Sequence, residues 1–221
     1  MLQRKPLRNE LHKEILARIG DRRLPPGQRI NESRLSSSMG ISRTPLREAM
    51  LGLEAQGFLG SHMGRGFLVP PLDVQEFVDI QFMLTDLKPL ALSLSFPLPP
   101  GRIMELHNHL GRARLRAKEP GLGRVDAVID MIHPYSRLML GTCSNSLLAA
   151  DINRLDVLAR RYWHEAGVMG FDPVDYFKSH DELYELLRTD KREEAVHFWQ
   201  GHIDRFSAEA ARHLPNPPLD V

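Results

Sequence analysis

A single cysteine, Cys143, in a chain of 221 residues excludes an internal disulfide and any zinc site built on several thiolates. No run of about 18 apolar residues occurs, so a membrane-spanning helix is not expected. The opening stretch MLQRKPLRNELHKEIL lacks the apolar segment of a signal peptide. No internal repeat or low-complexity stretch is visible. Hydrophobic residues make up 42% and charged residues 26%, which excludes global disorder and collagen-like sequence. These absences together point to a reducing, cytoplasmic setting away from membranes.

The net charge of +1 conceals an asymmetry. Residues 1–72 carry 12 Lys+Arg against 6 Asp+Glu, a net of +6. The remainder carries 17 against 22, a net of −5. A basic first third joined to an acidic remainder suggests that one part meets a polyanion and the other does not.

Leu7, Leu11, Ile15 and Ile19 recur at four-residue spacing and predict a helix ending at Gly20. A turn at Leu24-Pro25-Pro26-Gly27 precedes a short helix over Glu32–Met39, with Gly40 suited to the left-handed position behind it. Ser42 or Thr44 caps the next helix, Pro45 falls in its first turn, and Leu46, Ala49, Met50 and Leu53 form its buried stripe. Gly57 ends it. Phe58-Leu59 and Phe67-Leu68-Val69, around Gly60, Gly64 and Gly66, then predict a small β-hairpin.

Pro70-Pro71 sets a domain boundary near residue 72. Beyond it the chain reads as helices over about 74–96, 100–117, 124–140, 145–166, 173–188 and 191–213, broken by proline and glycine. The expected fold is mainly α: a winged helix-turn-helix over 1–72, then an antiparallel bundle of about six helices over 73–214. The tail, 215–221, is expected to be disordered.

The second helix of such a pair enters the DNA major groove by its N-terminal end. Here that end carries Ser42, Arg43, Thr44 and Arg47. Arginine binds guanine O6/N7 bidentately, and hydroxyls reach phosphate or bases. Arg65, between two glycines at the hairpin tip, is placed to meet the minor groove or backbone phosphate. A solvated surface for both helix arginines, with the hairpin only capping a core, is the competing reading.

The stretches LPPGQRINESRL, GISRTPLREAMLGLEAQGFL and GRGFLV resemble the N-terminal domain of the GntR family of bacterial transcription regulators. The helical remainder resembles the ligand-binding (FCD) domain of the FadR-type branch, through LKPLAL at Leu87–Leu92 and through His180 leading into DELYELLRTDKREEAVHFWQGHI. The resemblance implies a homodimer on a pseudo-palindromic double-stranded DNA operator, a repressor controlled by a small acidic metabolite. It implies DNA contacts from Arg43, Thr44, Arg47 and Gly64, with Ser33, Ser42 and Arg65 as further candidates.

Many members of that branch hold a divalent metal (Zn, Ni or Mn) through an Asp and a His one turn apart on a middle helix, plus one His on each of the last two helices. His180 and His202 fall where those last two belong. Aligning Asn145-Ser146-Leu147-Leu148 with the family's Asn-x-Leu-Leu puts Ile132 and Ser136 at the other two places, and neither is an adequate ligand. A slipped register offers His133 with Asp130 instead, although Pro134 disfavours helical backbone at His133. The first bundle helix also departs, with Leu84 and Lys88 where the family commonly has an R-x-x-x-E pair. The alternatives are a metal set of His180, His202, His133 and Asp130, or an effector cavity near His180, His202, His133 and Arg160 that binds with or without a metal. A third is that these histidines belong simply to the core.

Arg160-Arg161-Tyr162-Trp163-His164 reads as a packing face from which Arg160 or Arg161 could hold an acidic effector. His107 and His109 are expected on the surface. Cys143 has no nucleophile signature around it, so no catalytic residue is assigned. A metal-dependent helical-bundle enzyme is the alternative function. It would need a full ligand set and a general base, which this sequence does not supply.

Overall fold

The computed structural model describes residues 4–61, 66–119, 124–167 and 172–214. Gly64, Arg65 and the tail 215–221 lie outside the described residues. The chain divides into two units, Met1–Leu72 and Asp73–Val221.

In the first unit, α1 (Arg4–Gly20), α2 (Glu32–Ser38) and α3 (Arg43–Glu54) precede β1 (Gly60–Ser61) and β2 (Phe67–Leu68). Helix α1 packs on α3 through Leu11, Ile15 and Ile19, which meet the stripe of Leu46, Ala49, Met50 and Leu53. Leu7, read as part of that apolar face, is instead 37% exposed because it stands above the end of the core. Asn31 caps α2 by accepting from the Arg34 N–H at 2.9 Å. Gly40 turns the chain with a φ of 64°, a conformation that costs about 1–2 kcal/mol for a residue bearing a Cβ. That turn sets α3 across α2.

The hairpin differs in register from its prediction. Phe58 and Leu59 are buried core residues, and pairing begins one residue later, Gly60 with Leu68 and Ser61 with Phe67. A third arm joins it. The Ile30 N–H donates to the Phe67 carbonyl at 2.8 Å, and the Val69 N–H donates to the Gln28 carbonyl at 2.9 Å. The isolated Arg29–Leu68 bridge thus ties a third segment to a two-stranded ribbon that would be marginal alone.

The second unit holds α4 (Val74–Ser93), α5 (Pro100–Arg116), α6 (Arg124–Met139), α7 (Ser146–Gly167), α8 (Pro173–Arg188) and α9 (Arg192–His213). Helix α4 packs on α9 and α7, α5 on α6 and α8, and α6 also on α7. Asp73 and Asp172 cap α4 and α8 through bonds to the Gln75 and Val174 N–H groups, both 2.9 Å. Pro134 does not interrupt α6, which runs through it. The ring removes one helical hydrogen bond, and tertiary packing of Met131, Tyr135 and Met139, each at most 1% exposed, outweighs that loss. His109, expected on the surface beside His107, is half-buried with its ring 6.4 Å from Tyr135. Among the described residues no helix is long and apolar enough to cross a membrane.

Candidate functional site

Two surfaces carry the chemistry, one in each unit. In the first, Ser42 occupies the N-cap of α3 but makes no capping hydrogen bond. Its hydroxyl is therefore not used by the helix. Ser42, Arg43, Thr44 and Arg47 are all exposed, as is Ser33 near the start of α2. The α3 N-terminus thus presents unsatisfied N–H groups, two hydroxyls and a guanidinium to one side, a combination that attracts phosphate. Arg47 is more constrained than Arg43. Its Nη1 donates to Glu32 Oε1 at 2.8 Å, and its guanidinium stands 5.6 Å from the Phe67 ring centroid. The Glu32 side chain is only 10% exposed against 56% for Arg47, so the carboxylate anchors and the arginine projects. Glu32 was not legible in the sequence, because a pair separated by 15 residues has no helical periodicity.

In the second unit, α4, α6, α7, α8 and α9 enclose a cavity of about 30 Å³, close to the volume of one water molecule. His180 on α8 and His202 on α9 meet there, their rings 4.6 Å apart and edge to face. Tyr176 lies 4.4 Å from the first ring and 5.0 Å from the second. The His180 Nδ1–H donates to the Tyr176 carbonyl at 3.0 Å, which leaves Nε2 as an acceptor. Burial pushes His180 down to about 4. His202, bonded through Nδ1 to Ser179 Oγ at 2.8 Å, is held well below the usual histidine range by burial and then by His180, Arg205 and Lys88. Both rings are neutral at pH 7.

The same cavity contains a buried ion pair. Lys88 Nζ on α4 lies 2.5 Å from Asp156 Oδ1 on α7, with side chains 8% and 6% exposed. Burial alone would raise Asp156, but the Lys88 charge, the neighbouring His133 imidazole and the hydrogen bond to Lys88 hold the carboxyl below the usual range. Around this pair, Gln81 Nε2, Tyr135 Oη and Ser136 Oγ line the cavity with no hydrogen-bond partner among the described residues. Tyr135 is 1% and Ser136 3% exposed, so neither is satisfied by bulk solvent.

The sequence-based site needs several corrections. His133 does not line the cavity; its Nδ1 lies 3.8 Å from Asp156 Oδ2, too long for a hydrogen bond. Arg160 is half-buried on α7 and does not line the cavity either. Arg161, its neighbour, is 3% exposed and ion-paired to Glu76, which also accepts from the Tyr162 hydroxyl. It ties α7 to α4 and is not available to an effector. The side chain of Asp130 lies outside the described residues. Ile132 and Ser136 face the cavity from α6 beside an ammonium group, and among the described residues no three His, Cys, Asp or Glu side chains converge. This donor set does not fit a divalent metal.

The neutral histidines make a pH prediction. In the unfolded chain each takes up a proton near pH 6.5, whereas folded His180 resists protonation until about pH 4. The unfolded state therefore binds more protons in that window, and stability falls as pH drops through it. For His180 alone the loss is roughly 3 kcal/mol between pH 6.5 and 4. Both tryptophans, Trp163 and Trp199, line the cavity, so denaturation followed by tryptophan fluorescence reports this unit. A midpoint unchanged between pH 7 and 5 would be the contrary result.

His202 also lines an outer groove of about 440 Å³ with Asp175, Lys178, Glu182, His197 and Arg205. The imidazole thus borders the inner cavity on one side and this groove on the other.

Residues 7–69 match the family described as "Bacterial regulatory proteins, gntR family". The Nta operon transcriptional regulator of Aminobacter aminovorans is 37% identical over 191 residues, 81% of this chain and 83% of that one. The HTH-type transcriptional regulator YdhC of Bacillus subtilis is 41% identical over 69 residues, 31% of each chain. Among solved structures, E. coli McbR/YncC matches with a TM-score of 0.82 at 20% identity, covering 93% of this chain and 97% of that one, a likeness of fold. A basic unit that exposes the α3 N-terminus, followed by a helical unit, accords with these relatives: the chain belongs to the GntR family of bacterial transcription regulators, which bind DNA.

Proposed function

We propose that this regulator is a homodimeric repressor that occupies a pseudo-palindromic operator and is controlled by a small acidic metabolite in the helical unit. The observation that carries the reading is the bundle cavity. A protein that only bound DNA would have no use for buried donors left unpartnered at Gln81, Tyr135 and Ser136 beside a buried ammonium at Lys88. Such donors suit the oxygens of a carboxylate, and aromatic side chains around them suit its carbon frame. At about 30 Å³ the cavity is too small for a metabolite, so binding selects a wider arrangement of the helices. A ligand with different affinity for the two arrangements shifts their populations.

DNA contact falls to Ser42, Arg43, Thr44 and Arg47, with Ser33, Gly64 and Arg65 as further candidates. Dimerisation is supported by the outward face of α4, where Val78, Phe82, Met83 and Leu90 are 41–75% exposed. A mobility-shift assay on the DNA upstream of the gene's own operon, titrated with short carboxylic and sugar acids, tests the reading. Light scattering should give about twice the chain mass of 25.2 kDa. Retarded DNA that one acid releases is the expected outcome. A protein that binds no upstream DNA, or binds it as a monomer unmoved by any acid, would overturn the proposal.

A further inference from the structure

Lys88 and Asp156 form a pair that the DNA-binding role does not use. The pair lies in the same cavity as His180, His202, Ile132 and Ser136. Its ammonium is close enough to both histidines for its charge to lower each of them. It also stands 5.9 Å from the Trp199 ring centroid, at the outer reach of a cation–π contact. Positive charge in this cavity is thus supplied covalently by the chain and fixed by a buried carboxylate.

A divalent ion and an ammonium cannot share so small a space. At low effective dielectric their repulsion is large, and the lone carboxylate that could offset it is already paired. Two neutral imidazoles would otherwise make good ligands, and a carboxylate and a histidine placed one turn apart on α6 would complete a set of four. Ile132 and Ser136 stand one turn apart on α6 and both face the cavity.

We infer that Lys88 is the resident cation of this cavity and bars a divalent metal from it, so that ligand recognition here is metal-independent. Oxygen atoms of a ligand would then meet the remaining N–H groups of the ammonium, not a metal ion. That last point rests on the effector reading above; the exclusion of metal does not.

The test separates the two. Full-length wild type, dialysed against zinc and then metal-free buffer, should retain no stoichiometric zinc by elemental analysis. Its Tm should be the same with zinc chloride as with EDTA. In an Ile132→Asp/Ser136→His variant the four-ligand set is present with Lys88 still in place, and little zinc should be held. Adding Lys88→Ala to that variant should raise retained zinc to about one per chain and make its Tm rise with zinc. Stoichiometric zinc in the wild type, or equal zinc in the two variants, whether high or absent, would overturn the inference. If the variants do not fold, the wild-type measurements decide it alone. Failure of every acid to act in the operator assay would leave the zinc result standing.

Discussion

Asp156→Ala should lower the stability of the helical unit by about 3–5 kcal/mol, the usual consequence of removing one member of a buried pair. The Lys88 ammonium would be left 8% exposed with no carboxylate, and the cavity has no anion to replace it. For a chain of this size a loss of about 3–5 kcal/mol corresponds to a fall in Tm of roughly 6–20 °C. A Lys88→Met/Asp156→Leu double variant should recover most of the loss, because two apolar side chains of similar volume carry neither charge nor desolvation cost. Urea denaturation of the two singles and the double gives the coupling energy directly. A single variant within about 0.5 kcal/mol of wild type would show that the pair is not buried in solution.

The second large effect concerns DNA. Arg43→Ala and Arg47→Ala should each weaken operator binding by about 1–3 kcal/mol if each guanidinium makes a bidentate base contact. Together they would reduce affinity by a factor of roughly 30 to 10⁴. The two substitutions are not equivalent. Arg43 is exposed at the first turn of α3, so its removal should leave folding unaffected. Arg47 also holds Glu32 and lies over Phe67, so its removal leaves a carboxylate that is 10% exposed without its cation. Arg47→Ala should therefore lower both affinity and the Tm of the DNA-binding unit, whereas Arg43→Ala lowers affinity alone. Fluorescence anisotropy at several salt concentrations checks this, since loss of phosphate contacts flattens the salt dependence. Unchanged affinity in the double variant would remove α3 from the interface.

Much of this architecture was legible because glycine and proline mark where helices cannot continue. Gly20, Gly40, Gly57, Pro100 and Pro173 each delimit an element within three residues of the observed boundary. The apolar stripes of α1 and α3 were legible as well, since a 3.6-residue period has few other causes. Long-range pairing was not. Arg29 meets Leu68 across the wing, and Lys88 meets Asp156 across the bundle, and nothing local in the sequence encodes either contact. The candidate site divides along the same line. His180 and His202 were placed by motif and do meet, whereas Asp156 has no motif around it to mark it. A slipped register offers His133 with Asp130; His133 lies 3.8 Å from Asp156 and does not line the cavity, and the side chain of Asp130 lies outside the described residues.

His202 borders both the inner cavity and the outer groove, and its Nδ1 is bonded to Ser179 Oγ at 2.8 Å. On the proposed effector reading, a molecule that entered the cavity from the groove past His202 would have to break that bond and swing the ring aside, and repeat the step in reverse on leaving. The barrier slows arrival and departure equally, so it changes how long an occupant stays without changing how tightly it is held at equilibrium. On that reading residence time and affinity would be set by different side chains, the first by His202 and Ser179, the second by Lys88, Gln81, Tyr135 and Ser136. A regulator built this way can keep a record of a brief rise in its signal after the concentration has fallen.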